Sequence, residues 1–419
     1  MQHELNQLKQ LIQISQGRPN VSVGGWLQGN LEGPNDDLYI YVENRKSAIA
    51  FDNQIDAIWR KDKEIHNNIS KDWLKKELKF LLKEKLQKQK DFVENDWTKL
   101  RDSFLKISVV QYEIFKELKG CNINSKEPIK ISHFTFYNWP KHYKLIKEKY
   151  PKAFEQQYPS FYDERISMTL LSTIINSKDC DRADEIADIK FKKIENVLRY
   201  LFTDSSYSHS GSKHFDIGIF DFREKEWHES QTVTANSKGG NLKPIGTYRN
   251  LVLNKKSLTS KKHIKKIWEI LDKEKPNKLE LRILNSIEWI GKAKHEIEKE
   301  KAFIQYFFAI ESLMNFNEIG LISPSVTSQM KEYTAFILGK NKNERIEIDK
   351  LFSQLYKIRS SIVHGSSKEI TDYELEDVQN ISERLVIEFL TNTKLNSIKS
   401  DNNFEELKNF ISSLKYASC

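Results

Sequence analysis

The apolar positions of this chain change period along its length, and the changes mark its organisation. VSVGGWLQG at 21–29 and LYIYVEN at 38–44 alternate or gather β-branched and aromatic residues between Gly and Asn-Asp turns. A short helix followed by the strands of a small sheet is predicted there. From about Lys71 to Ile107 the spacing is helical, through Trp73, Leu74, Leu78, Leu81, Leu82 and Leu86 and then Phe92, Val93, Trp97, Leu100 and Phe104. Lysines occupy the other face, so one long helix or a helical pair is expected. Residues 129–165 read as aromatic and irregular. DRADEIADIKFKKIENVLRYLF at 181–202 predicts a helix, with acids early, bases late and a stripe of Ile186, Ile189, Ile194, Val197, Leu198 and Leu201. KHFDIGIFDFRE at 213–224 alternates as a strand does, and WHESQTVTAN at 227–236 is placed to pair with it.

SKGGNLKPIGTYRN at 237–250 is the clearest composition break, and a domain boundary is expected beside it. Beyond about Leu258 every patterned segment has helical period and no strand signal interrupts. The fold class expected is an α+β domain over 1–250, a sensor or substrate-recognition region, followed by an all-α bundle over 258–419. A chain of 419 residues is long enough for two or three cores of roughly 100–200 residues each.

Charge changes this picture little. Lys and Arg number 67 against 59 Asp and Glu, a net +8 with both signs interspersed, which permits a polyanionic partner but supplies no basic arm. The lysine-rich face of LKKELKFLLKEKLQKQK reads as solvated, with phosphate contact as the alternative. Cys121, Cys180 and Cys419 are odd in number and far apart, which fits reduced thiols rather than a disulfide framework or zinc ribbon. The polar N-terminus and the lack of long apolar runs lead to the expectation of a cytoplasmic protein with no membrane partner.

One helix end gathers chemistry. In Leu351 to Gly365 the residues Leu351, Leu355, Ile358 and Ile362 form an apolar stripe, and Gly365 is a ready C-terminal cap. Tyr356, Ser360 and His364 follow one turn apart, with Arg359 on the flank. A histidine can take the proton of a ribose 2′-hydroxyl or give one to the leaving 5′-oxygen. An arginine can hold the phosphate bidentately and stabilise the charge that grows on it. No carboxylate cluster with ligand spacing lies nearby, so neither metal nor cofactor is expected. The same residues also suit a structural role, His364 capping carbonyls and Arg359 lying on the surface.

LYKIRSSIVHG at 355–365, preceded by KAFIQYFFAIESLM at 301–314 and YTAFILGKNKNERIEI at 333–348, resembles the HEPN superfamily and within it the Apea-like branch, over about residues 260–400. The resemblance implies a helical bundle, a homodimer that sets two R-x4–6-H motifs across a cleft, and metal-independent endoribonuclease activity on tRNA or other structured RNA. Toxin or anti-phage defence roles are implied with it, triggered by an unknown ligand or phage component. Arg359 and His364 fall on the motif's key positions. Ser360 stands where many relatives carry Asn, Asp or His. A non-catalytic RNA- or nucleotide-binding scaffold is the alternative.

Glu311, among Phe303, Phe307, Phe308, Ile310, Leu313 and Met314, needs a partner or water. It either orients Arg359 or His364, or faces solvent on the polar stripe with Gln305. The cluster Phe134, Phe136, Tyr137, Trp139 and Tyr143 suits a core or a base-stacking surface. His209 and His214 lack a third ligand of metal spacing. A hydrolase using His214, Asp216, Asp221 or His228 is a third class of function, without a supporting spacing.

Overall fold

The computed structural model describes residues 1–16, 29–30, 38–152, 168–203, 215–220, 231–236, 239–244, 250–314, 326–365, 369–396 and 403–416. The elements in chain order are α1 (Gln2–Gln10), β1 (Gln13–Gln16), β2 (Gly29–Asn30), β3 (Leu38–Tyr41), α2 (Arg45–Lys61), α3 (Lys63–Asn68), α4 (Lys71–Gln87), α5 (Glu94–Leu105) and β4 (Val110–Leu118). Next come β5 (Cys121–Ile123), β6 (Ile129–Ile131), β7 (Phe134–Asn138), α6 (Trp139–Lys149), β8 (Thr169–Ser177), α7 (Cys180–Phe202), β9 (Gln231–Asn236), β10 (Gly239–Pro244) and β11 (Leu251–Leu253). The rest is helical: α8 (Lys255–Thr259), α9 (Lys262–Leu271), α10 (Lys278–His295), α11 (Lys299–Met314), α12 (Val326–Leu338), α13 (Lys342–Val363), α14 (Asp372–Thr391), α15 (Thr393–Asn396) and α16 (Asn403–Tyr416). The N-terminal part thus mixes strands and helices, and the C-terminal region is helical.

Two compact units share the chain, Met1–Ile114 with Ile174–Ile189, and Phe115–Thr173 with Lys190–Cys419. They are cut differently from the 1–250 and 258–419 division expected from the linker composition. The reason lies in α7, whose second half is buried among the C-terminal helices, as Tyr200 and Asn196 show below.

In the first unit, β1, β3 and β2 form an antiparallel sheet in the order β1-β3-β2. The helical pair expected after Lys71 is α4 and α5, each started by a local device. Ser70 accepts the Trp73 N–H, and the Asp96 carboxylate accepts the Val93 N–H. Leu74, Leu78, Leu82, Phe92, Trp97 and Phe104 join Phe51, Ile55 and Ile58 of α2 in one core. Apart from Gly29, the strand expected at 21–29 lies outside the described residues.

In the second unit the aromatic stretch 129–152 is not irregular. Hairpin β6–β7, turning through Ser132 at φ 56°, leads into α6, whose N-terminus is capped by Asn138. β8 pairs antiparallel with β7. Phe134, Phe136, Tyr137 and Trp139 are buried, which makes the aromatic cluster core rather than a stacking surface. The hairpin expected between 213–224 and 227–236 falls largely outside the described residues. β9 pairs with β10 in the register Asn236 to Gly239, so the glycine-rich break supplies a strand. Residues 221–230 lie outside the described residues, and 215–220 contribute a bridge between Lys119 and Gly218.

On α7 the buried stripe uses alanines, Ala183 and Ala187, with Phe191, Ile194 and Leu198, whereas Ile189 is exposed. The second half of this helix makes its closest approach to α10. A Cβ added to Gly291 would stand 2.3 Å from the Asn196 carbonyl oxygen. About one turn further along each helix, the buried Lys294 ammonium donates to the Tyr200 carbonyl at 2.9 Å, and it also pairs with Glu383 of α14 at 3.0 Å. Glycine is therefore required at 291 by backbone contact. Gly291→Ala is expected to destabilise the protein by about 1–3 kcal/mol, the usual cost of overpacking. Chemical denaturation checks this, and unchanged stability would show that α7 and α10 move apart freely.

Candidate functional site

The residues singled out on α13 lie where that helix meets α11. Asn341 caps α13 by accepting the Glu344 N–H, and Phe352, Leu355 and Ile358 are its buried positions. The helix starts at Lys342, well before Leu351, because the polar loop of 339–341 supplies the cap. Its far end closes as the sequence suggests. His364 donates its backbone N–H to the Ser360 carbonyl at 3.0 Å, and Gly365, at φ +81°, donates to the Ile362 carbonyl at 3.0 Å.

Arg359 turns toward α11. Its Nη2 donates to Glu311 Oε1 at 2.9 Å, and both side chains are about one-fifth exposed. The guanidinium carbon stands 5.7 Å from the centroid of Tyr356, one turn earlier on α13. Tyr356 is itself held edge-on by buried Phe307 at 5.9 Å and stacked with buried Phe352 at 6.4 Å. A fixed aromatic ring and a carboxylate therefore orient one guanidinium, whose Nε is buried with no hydrogen-bond partner among the described residues. Such an Arg presents its other donors in a defined direction, as oxyanion recognition requires.

Burial among the phenylalanines of α11 raises the Glu311 carboxyl above its ordinary value, although the Arg359 charge and hydrogen bond pull the other way. Desolvation wins, so the ionised form is held at a cost to folding. Of the two readings of Glu311, the carboxylate meets Arg359 and does not join Gln305 on a solvated stripe.

Ser360 is half-buried, and His364 is exposed at the helix end. The contacts of Arg359 are to Glu311 and Tyr356, and no hydrogen bond or ion pair to His364 is among them. Five residues along an ideal helix amount to about 7.5 Å of rise and about 140° of rotation, so the two side chains leave α13 on different sides. Arg359, Glu311 and Tyr356 form one cluster, and His364 stands apart from it.

Two other groups define what the chain can do. Cys121 is an unsuitable nucleophile, since burial pushes its thiol up to about 12. Asp179, Cys180 and Asp181 have ligand atoms close enough for a metal, but Asp179 already accepts the backbone N–H groups of Ser70 and Asp181 at 2.8 and 3.1 Å. That is the work of a helix cap.

Sequence reasoning missed a buried pair, His295 Nδ1 on Asp216 Oδ2 at 2.8 Å, whose partners are 79 residues apart with no local spacing to join them. His209, His214, Asp221 and His228 lie outside the described residues. Among the described residues no helix is long and apolar enough to cross a membrane. No family model, curated protein or solved structure matches the chain.

The raised Glu311 carboxyl has a pH signature. Its contribution to stability is fully present below the ordinary value of 4.5 and is lost as pH rises through the higher folded value. The amide introduced by Glu311→Gln cannot titrate, so the difference in Tm between this variant and wild type is expected to become more positive between about pH 4 and pH 7. Thermal unfolding of both proteins at the two pH values measures it. A difference that becomes more negative would mean that the ion pair outweighs desolvation.

Proposed function

We propose that the chain is a metal-independent endoribonuclease of HEPN type, acting on tRNA or other structured RNA as a toxin or anti-phage effector. The observation that carries the reading is the oriented guanidinium of Arg359, locked by Glu311 and Tyr356 although Glu311 weakens folding at neutral pH. A costly carboxylate is kept where it positions a group for function. In this reading Arg359 binds the scissile phosphate and stabilises its added charge. His364, exposed and reachable by RNA, exchanges protons with the 2′-hydroxyl or the 5′-oxygen. Ser360 bonds a phosphate oxygen or the imidazole.

In this reading the working site is composite. A homodimer through the C-terminal helices sets the His364 of one copy beside the Arg359 of the other, and also supplies both an acid and a base. The departure of the two side chains on different sides of α13 favours a second reading, a non-catalytic RNA- or nucleotide-binding scaffold that dimerises through these helices.

Wild-type protein, Arg359→Ala and His364→Ala are incubated with total cellular RNA in EDTA, and the product ends are identified. Wild type is expected to leave 2′,3′-cyclic phosphate and 5′-hydroxyl ends, with each variant slower by about a hundredfold or more. A mixture of the two variants regains activity if the site is composite, since one pairing restores an intact Arg–His set. Products with 5′-phosphate ends would remove His364 from the proposed role. Intact RNA with wild type at normal dimer stability would favour the scaffold.

A further inference from the structure

The lysine-rich face of α4 meets acids of its own unit. Lys71 stands 3.7 Å from Asp56, Lys75 2.6 Å from Asp52 and Lys88 2.5 Å from Glu84, and Lys85 pairs with Asp96. Much of the charge on that surface is therefore answered. Helix α6 is different. Between Trp139 and Lys152 the chain carries Lys141, Lys144, Lys147, Lys149 and Lys152 against one acid, Glu148. All five lysines are exposed, and among the described residues Lys141, Lys144 and Lys147 form no ion pair.

The other side of α6 is fixed. Asn138 caps its N-terminus by accepting the Lys141 N–H at 3.2 Å, and the Trp139 N–H donates to the Met168 carbonyl at 2.9 Å. His142 accepts the Asn138 N–H through Nδ1 and donates through Nε2 to the Lys126 carbonyl, both at 3.0 Å. Trp139, His142 and Ile146 are buried. Steps of three residues then set Lys141, Lys144 and Lys147 about 4.5 Å apart along the axis, on one side of an anchored helix. Folding alone does not favour this arrangement. Lys141 lies in the first turn, where the macrodipole prefers acids, and like charges three residues apart repel. A ridge of unanswered charge, kept against the preferences of its own helix, marks a contact for a polyanion.

We propose that the outer face of α6 binds the phosphate backbone of a nucleic-acid strand, as a contact outside the Arg359 cluster. Three ammonium groups that span about 9 Å of helix suit successive phosphates of one strand, and their flexible stems let each follow its phosphate without reading sequence. An anionic membrane is the poorer partner. Lying in a bilayer surface needs an apolar face free to insert, and on α6 that face, Trp139 and Ile146, is buried in the fold, which leaves Leu145 as its exposed large apolar residue. Neither Arg359 nor His364 takes part, so this contact stands whether or not the chain cuts RNA.

The test is fluorescence anisotropy of a labelled uridine RNA of about 12 nucleotides, titrated in EDTA with the full-length protein carrying His364→Ala, from about 50 to 200 mM salt. The same protein with Lys141→Gln, Lys144→Gln and Lys147→Gln is the comparison. Each phosphate contact to a single strand contributes about 0.7 to the slope of log affinity against log salt. The triple variant is therefore expected to be less steep by about 2, and at least about tenfold weaker at the lowest salt. Contacts elsewhere, Arg359 included, are common to both proteins, so the difference belongs to α6. Lys71→Gln, Lys75→Gln and Lys88→Gln on α4 remove the same formal charge from paired positions and should leave the slope unchanged. The α6 exchanges relieve repulsion within the helix, so Tm should not fall; if it does, Lys144→Gln alone, expected to remove about 0.7 of slope, carries the test. An unchanged slope in the α6 variant, an equal loss in the α4 variant, or binding to phosphatidylserine vesicles with none to the RNA would each overturn the assignment. Failure to cut RNA would instead count against Arg359 and His364 and leave this measurement untouched.

Discussion

A tight steric constraint in the second unit is the approach of α10 to the backbone of α7 at Gly291 and Asn196. There is room for a hydrogen atom and not for a methyl group, so the two helices meet backbone to backbone. Lys294 is carried into a buried place where the Tyr200 carbonyl and Glu383 satisfy its charge, which joins α14 to the pair. Breaking such a buried ion pair from one side leaves an uncompensated charge, a far larger penalty than the pair's net contribution. His295, one residue on, reaches Asp216, and the turn at 296–298 then sends α11 back across α10. Gly291 belongs to no chemical motif, yet the close approach of α10 to α7 requires it.

How far the sequence can be read follows from which forces are local. Helices with a clear period and a local cap, such as α4, α5 and α13, are legible because capping and amphipathic stripes depend on residues within one or two turns. The apolar stripe of α7 is only partly legible. Hydrophobicity alone selects Ile189, but close packing selects Ala183 and Ala187, and only the neighbouring elements reveal that. The stretch 129–152 defeats a reading by period because its strands are three to five residues long, and β6 and β7 become strands by pairing with each other and with β8. Likewise, Gly239 and Gly240 read as turn residues but lie in strand β10.

The candidate site divides along the same line. Arg359, Ser360, Tyr356 and His364 sit on one short segment, so residue type and spacing are enough to single them out. Their orientation is not available from spacing. A helical count places Arg359 on the flank of its neighbours, but only the fold shows that it turns to Glu311 and the Tyr356 ring. The Asp216–His295 pair has no signature at all, because separate segments meet there. Long-range convergence of single residues is invisible to any periodicity.

Glu311 shows how a cost to stability can be informative. Burial raises its carboxyl above the ordinary value although the charge and hydrogen bond of Arg359 pull the other way. The carboxylate does something no apolar residue could, which is to fix one edge of the Arg359 guanidinium. Six residues turn an ideal helix through about 240°, so Gln305 and Glu311 leave α11 in different directions, the latter toward α13. A helix that keeps an unsatisfied or strained polar group on two different faces is not optimised for packing alone.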